Sequence, residues 1–119
     1  MDRIETVREY YTRVDTGDID WVLALFAERS VYFRADACYA DKSEITEFYL
    51  NQRKIQGVHT LSDLYRDGDT VIVNGRFDGT GVDGSEKHVG FADFWCFNSQ
   101  GLVASRRTYL AVGAEVVKD

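Results

Sequence analysis

Between residues 2 and 16 the apolar positions Ile4, Val7, Tyr10, Tyr11 and Val14 recur at helical spacing. Gly17 ends that helix and Asp18 can cap the next. Residues 18–27 carry Ile19, Val22, Leu23, Leu25 and Phe26, a short and strongly apolar helix. Residues 30–34 read as a strand and 36–39 as loop. Asp41 or Ser43 can cap a third helix running to about residue 54, with Ile45, Phe48, Tyr49 and Arg53 facing one way.

After Gly57 the period changes. Residues 59–66 and 70–78 read as strands joined by Asp67-Gly68-Asp69, a hairpin signal. Residues 79–85 form a polar turn, 88–97 a strand, Asn98-Ser99-Gln100-Gly101 a turn, and 102–110 a last strand. Helices at the start and strands at the end predict an α+β fold, with helices on one face of an antiparallel sheet.

Within 88–97, Asp93 shares a face with Phe91, Trp95 and Phe97, while Ala92, Phe94 and Cys96 take the other. Both faces are apolar, and such a sheet packs only one on its own core. A second subunit is the simplest cover for the other, so a homodimer through the outer sheet face is expected. Asp93 itself lies in the most apolar run of the chain, Phe91 to Phe97. A carboxylate there is costly unless paired, hydrogen-bonded or neutralised. Either it stays protonated among aromatics and donates a proton, or it is ionised and held by a cation.

Composition narrows the classes. The chain has 119 residues and shows no proline, linker or repeat, so residues 1–119 read as one domain. A net charge of −6 gives no basic footprint for nucleic acid. No apolar run is long enough to span a membrane, and the first residues lack a secretory pattern, so a cytoplasmic location is the expectation. Cys38 and Cys96 fit no zinc spacing and read as reduced thiols. Metal-ligand spacing, a phosphate loop and a nucleophile motif are all missing, so no metal and no cofactor are expected.

Several stretches resemble the nuclear transport factor 2-like superfamily and, within it, ketosteroid isomerases and SnoaL-like polyketide cyclases. They are Tyr10 to Asp20, Leu25-Phe26-Ala27, Ile45 to Tyr49, Ala92 to Asn98 and Gly101-Leu102-Val103. The resemblance covers about residues 5 to 110. It implies a cone: a curved antiparallel sheet wrapped around three N-terminal helices, with a deep pocket at the open end, commonly in a dimer.

The resemblance also implies site residues. Tyr10 falls where the isomerase tyrosine donates to the substrate oxygen, and Asp93 where a protonated aspartic acid does the same. The isomerase base belongs at the end of the first strand, where Arg34 stands instead. Arginine cannot act as a base, so steroid isomerisation is not expected. Asp36, two residues on, could serve if its loop bends inward. Arg76-Phe77-Asp78 resembles the Arg-x-Asp of limonene-epoxide-hydrolase-like enzymes, without the second aspartate near Thr108. His59 and His88 resemble the histidines of dehydratases of this fold; strand parity turns His88 away from Asp93. In family register Ala104, Arg106 and Thr108 point inward, so Arg106 could meet Asp93, or one of Arg34 and Arg106 is left free to bind a substrate anion. Phe33, Phe48, Phe91 and Trp95 are expected to line core or pocket.

The expectation is a cofactor-independent acid-base enzyme, an isomerase, dehydratase or cyclase, acting on a small, partly apolar, carbonyl-bearing metabolite. Tyr10 and Asp93 would act on the oxygen and His59 or Asp36 as base. The alternative is a small-molecule-binding or dimeric interaction domain without chemistry.

Overall fold

The computed structural model describes residues 1–113. Helix α1 (Arg3–Thr16) starts where the Asp2 side chain accepts from the Glu5 N–H at 2.8 Å and stops at Gly17, which takes φ 84°. Its apolar stripe buries Val7, Tyr10, Tyr11 and Val14. Helix α2 (Ile19–Leu25) is capped by Asp18 and runs directly into strand β1 (Phe26–Arg34). Strand β2 (Ala37–Ala40) follows a turn at Ala35 and Asp36, in the stretch expected to be loop. Two alanines give it little strand propensity; antiparallel pairing with β1 makes it a strand.

Helix α3 (Asp41–Glu47) follows Ala40, and in its first turn the Asp41 side chain accepts from the Ser43 N–H at 2.9 Å. It ends earlier than its periodicity predicts, widening into a π-helical turn (Phe48–Gln52) closed by the Arg53 N–H on the Phe48 carbonyl at 2.8 Å. Adjacent Phe48 and Tyr49 are both buried there. Strands β3 (Gln56–Asp67), β4 (Thr70–Thr80), β5 (Glu86–Phe97) and β6 (Val103–Ala111) follow.

The six strands form one sheet in the order β2-β1-β6-β5-β4-β3. The α+β cone holds, with one refinement: β1 pairs with β6 in parallel, so the sheet is mixed. The helices pack in its concave face around a core that includes Val7, Val22, Ile45, Val71, Val73 and Trp95. Among the described residues no helix is long and apolar enough to cross a membrane.

Register places the polar residues. One inward row runs Val73, Asp93, Thr108, Arg34 across β4, β5, β6 and β1. The next runs Val71, Trp95, Arg106, Tyr32. A shift between Cys96 and Phe97 in the β5–β6 pairing buries Val103 and exposes Ala104, correcting the expected inward Ala104. At the other end Gly57 and Gly79 oppose each other, and the Phe77 ring lies over both. A Cβ on Gly79 would stand 2.1 Å from the Gln56 carbonyl oxygen and 2.8 Å from the Phe77 ring. Gly79→Ala is therefore expected to force a backbone shift and destabilise the fold by about 1–3 kcal/mol. A lowered urea midpoint at unchanged slope would confirm this, and an unchanged midpoint would refute it.

Candidate functional site

Strand alternation turns Asp93 into the cone, where its exposure is 0%. Its carboxylate accepts every bond it makes. Arg106 donates in fork geometry, Nε to Oδ1 at 3.3 Å and Nη2 to Oδ2 at 2.9 Å. The Tyr11 hydroxyl donates to Oδ2 and the Thr108 hydroxyl to Oδ1. This satisfies an ionised, acceptor-only carboxylate, so of the two readings of Asp93 the geometry favours the ion-paired one. Burial pushes the Tyr11 hydroxyl well above its ordinary pKa, and the Asp93 charge adds to the rise. Trp95 Nε1 donates to the Tyr11 oxygen at 3.1 Å.

Arg106 is caged by aromatic faces, its guanidinium carbon 4.4 Å from the Trp95 ring centre and 4.7 Å from those of Tyr10 and Tyr32. Burial works against its charge, but Asp93 and the surrounding tyrosines outweigh that and hold it firmly protonated. Its Nη1 donates to the Tyr10 oxygen at 2.6 Å and the Tyr49 oxygen at 3.0 Å. Those two hydroxyls are 2.5 Å apart. One proton bridges them; the other has no acceptor among the described residues. Burial raises the Tyr49 hydroxyl well above its ordinary pKa, which keeps it a donor.

The network forms the floor of a cleft of about 480 Å³, its open mouth included. His59, Phe77, Phe91, Phe48 and Ile55 wall it. His59 Nδ1 lies 2.5 Å from the Asp15 carboxylate, whose second oxygen accepts the His59 backbone N–H at 2.8 Å. Nε2 has no partner among the described residues. The ring is wedged against Phe77 at 4.9 Å and Tyr11 at 5.1 Å. Among the described residues no cluster of His, Cys, Asp and Glu could hold a metal ion.

Of the expected site residues, Tyr10, Asp93, His59, Arg34, Arg106, Phe48, Phe91 and Thr108 line one cleft. Three do not. Asp36 is exposed on the β1–β2 turn, because pairing of Arg34 with Ala37 holds that turn outside the cone. Phe33 alternates with inward Tyr32 and Arg34, so it lies on the outer face under Arg107, 4.0 Å from its guanidinium. Trp95 is in the core and touches Arg106 rather than the cleft. Tyr10 lines the cleft without touching Asp93: the tyrosine bonded to Asp93 is Tyr11, and the Tyr10 hydroxyl serves Arg106 and Tyr49.

Tyr11 and Asp15 escaped the sequence reading. Their signal is the i, i+4 spacing that puts both on the face of α1 turned toward β3. Arg76 and Asp78 pair with each other at 2.8 Å on the outer surface, where His88 joins them at 2.7 Å. Arg76 first and His88 second hold the Asp78 carboxyl at about 2, and Asp78 in turn raises the His88 pKa. None of the three lines the cleft.

Removing one partner of a buried pair strands the other's charge. Arg106→Met is expected to cost about 3–5 kcal/mol, and Arg106→Met with Asp93→Leu much less than the sum of the single changes. Urea unfolding of the four proteins measures the coupling; additive losses would contradict it.

The same fold recurs in solved structures. A nuclear transport factor 2-like protein of unknown function from Burkholderia pseudomallei superposes with TM-score 0.82 at 21% identity, over 98% of this chain and 96% of its own. The epoxide hydrolase/cyclase-like enzyme SalBIII, which has a role in pyran ring formation in the polyether salinomycin, gives 0.83 at 19%, over 92% and 91%. A putative SnoaL-like polyketide cyclase from Shewanella denitrificans gives 0.81 at 12%, over 91% and 89%. A search of curated proteins finds no match. The SnoaL-like domain model matches residues 7–106, spanning α1 through the arginine that holds Asp93. On that match the chain belongs to the SnoaL-like domain family, and its fold is the one that nuclear transport factor 2-like proteins take.

Proposed function

We propose that the chain is a cofactor-independent acid-base enzyme, an isomerase, dehydratase or cyclase, acting on a small, partly apolar, carbonyl-bearing metabolite. The observation that carries this reading is the Asp15–His59 pair in the wall of the cleft, with Nε2 unclaimed. Asp15 orients the ring and stabilises the imidazolium that forms when Nε2 takes a proton from carbon next to the carbonyl. The carbonyl oxygen accepts the unclaimed proton of the Tyr10–Tyr49 pair. Arg106 donates to both phenol oxygens and strengthens that donor as enolate charge develops. Asp93 then acts as a positioning residue that holds Arg106.

The base expected at the end of β1 is absent, and the reading moves proton abstraction to His59 on β3. Proton exchange tests it directly. In deuterated buffer, α-protons of small ketones and keto acids are expected to exchange faster with the protein than without it, by NMR. His59→Gln should lower that rate about 10²–10⁴-fold. Exchange that survives His59→Gln unchanged would remove His59 as the base. A second reading, ligand binding without chemistry, draws on the complete saturation of Asp93 by its neighbours. Saturable binding with no exchange of any α-proton would select it.

The proposed partner is a second copy. The outer face presents Tyr65, Ile72, Phe94, Arg107 and Phe33 in one row across five strands. Tyr65, Phe94 and Tyr109 are 61%, 37% and 54% exposed there. Sedimentation is expected to give twice the 13.6 kDa chain mass, and Phe94→Glu to return it to one. A wild-type monomer at high concentration would rule the dimer out.

A further inference from the structure

The cleft carries more positive charge than its floor needs. Its charged lining side chains are Arg34, Arg53, Arg106 and Asp93. Asp93 is fully engaged with Arg106, which leaves, among the described residues, two arginines and no second carboxylate in the lining. Among the described residues neither Arg34 nor Arg53 takes part in a salt bridge or a side-chain hydrogen bond. That is unusual placement in a chain of net charge −6, where acidic residues outnumber basic ones by 20 to 14.

Both arginines are held at the cleft by the backbone. Arg34 ends β1, pairs with Thr108 of β6, and lays its guanidinium against the Phe48 ring at 5.4 Å. Arg53 follows the π-helical turn, and its N–H on the Phe48 carbonyl fixes where the chain leaves it. Phe48 is thus shared between the two. Ile55 and Leu110 continue the apolar wall.

We propose that the cleft takes a carboxylate-bearing substrate, its anionic group held by Arg34 and Arg53 and its apolar body between Phe48, Phe91 and Ile55. A guanidinium fork matches a carboxylate, and the stacking of Arg34 on the Phe48 ring fixes the direction of one such fork. The proposal rests on the acid-base reading only for the word substrate; the anion subsite stands on the arginines alone. It adds a requirement to that reading: the reacting carbonyl lies toward the Tyr10–Tyr49 pair, and the carboxylate at the Arg34–Arg53 end.

Calorimetric titration tests this with phenylacetate, 4-phenylbutyrate and hexanoate, each against its primary amide. At least one acid is expected to bind the wild type about tenfold or more tightly than its amide, a gap worth about 1.4 kcal/mol. The double variant Arg34→Gln/Arg53→Gln should erase that gap while the amide's affinity stays within about twofold. Arg34→Lys and Arg53→Lys keep the charge and should keep part of it, and retained thermal unfolding shows that each variant folds. Equal binding of every acid and its amide, no binding of any acid, or a gap that survives the double variant would each overturn the anion subsite. The two proposals fail separately: loss of acid selectivity leaves the His59 exchange result standing, and exchange independent of His59 leaves the selectivity standing.

Discussion

The rest of the structure depends on one buried ion pair. Asp93 and Arg106 meet inside the cone with almost no access to water. Taking both charges out of water costs several kcal/mol each, and their mutual attraction offsets this only when hydrogen bonds complete both groups. The Tyr11 and Thr108 hydroxyls complete the carboxylate, while the Tyr10 and Tyr49 oxygens and three aromatic faces complete the guanidinium. These contacts come from α1, the π-helical turn, β1, β5 and β6, so the helical layer and the sheet meet at the pair. A one-residue slip of β5 or β6 would put one charge outside and leave the other unmatched.

That arrangement also divides labour across the cleft. Its floor is a closed network in which Asp93 has no open valence. Its reactive possibilities lie one step away, at the bridged phenols and at the free nitrogen of His59. The aromatic ring of Tyr11 touches both regions, bonding Asp93 through its hydroxyl and packing on His59 through its face. Among the described residues, unpaired positive charge in the lining lies toward the ends of β1 and the π-helical turn. The cleft is therefore polarised along its length, a property that fold alone does not confer.

Local pattern carried most of the architecture. Helical spacing located α1 and α2, alternation located β3 to β6, and the parity of β5 put Asp93 with Phe91, Trp95 and Phe97 on the inner face. It failed where pairing or packing overrides propensity. Strand β2 exists because β1 offers it an edge, and α3 loosens where Phe48 and Tyr49 must both be buried. The bulge that exposes Ala104 is set by a partner strand and leaves no local trace.

The site divides along the same line. The sequence by itself determined that a carboxylate stands in an apolar strand, that an arginine two residues before Thr108 could reach it, and that the usual base is missing from the end of β1. The first follows from alternation and side-chain chemistry, which are local; the other two are what the resemblance to ketosteroid isomerases and SnoaL-like cyclases implies. Only the tertiary structure decided that Tyr11 rather than Tyr10 bonds Asp93, that Asp15 meets His59 across 44 residues, and that Arg34 and Arg53 share one cleft. Each depends on where a helix or turn docks on the sheet, and docking is fixed by how the whole core packs rather than by any stretch of neighbouring residues.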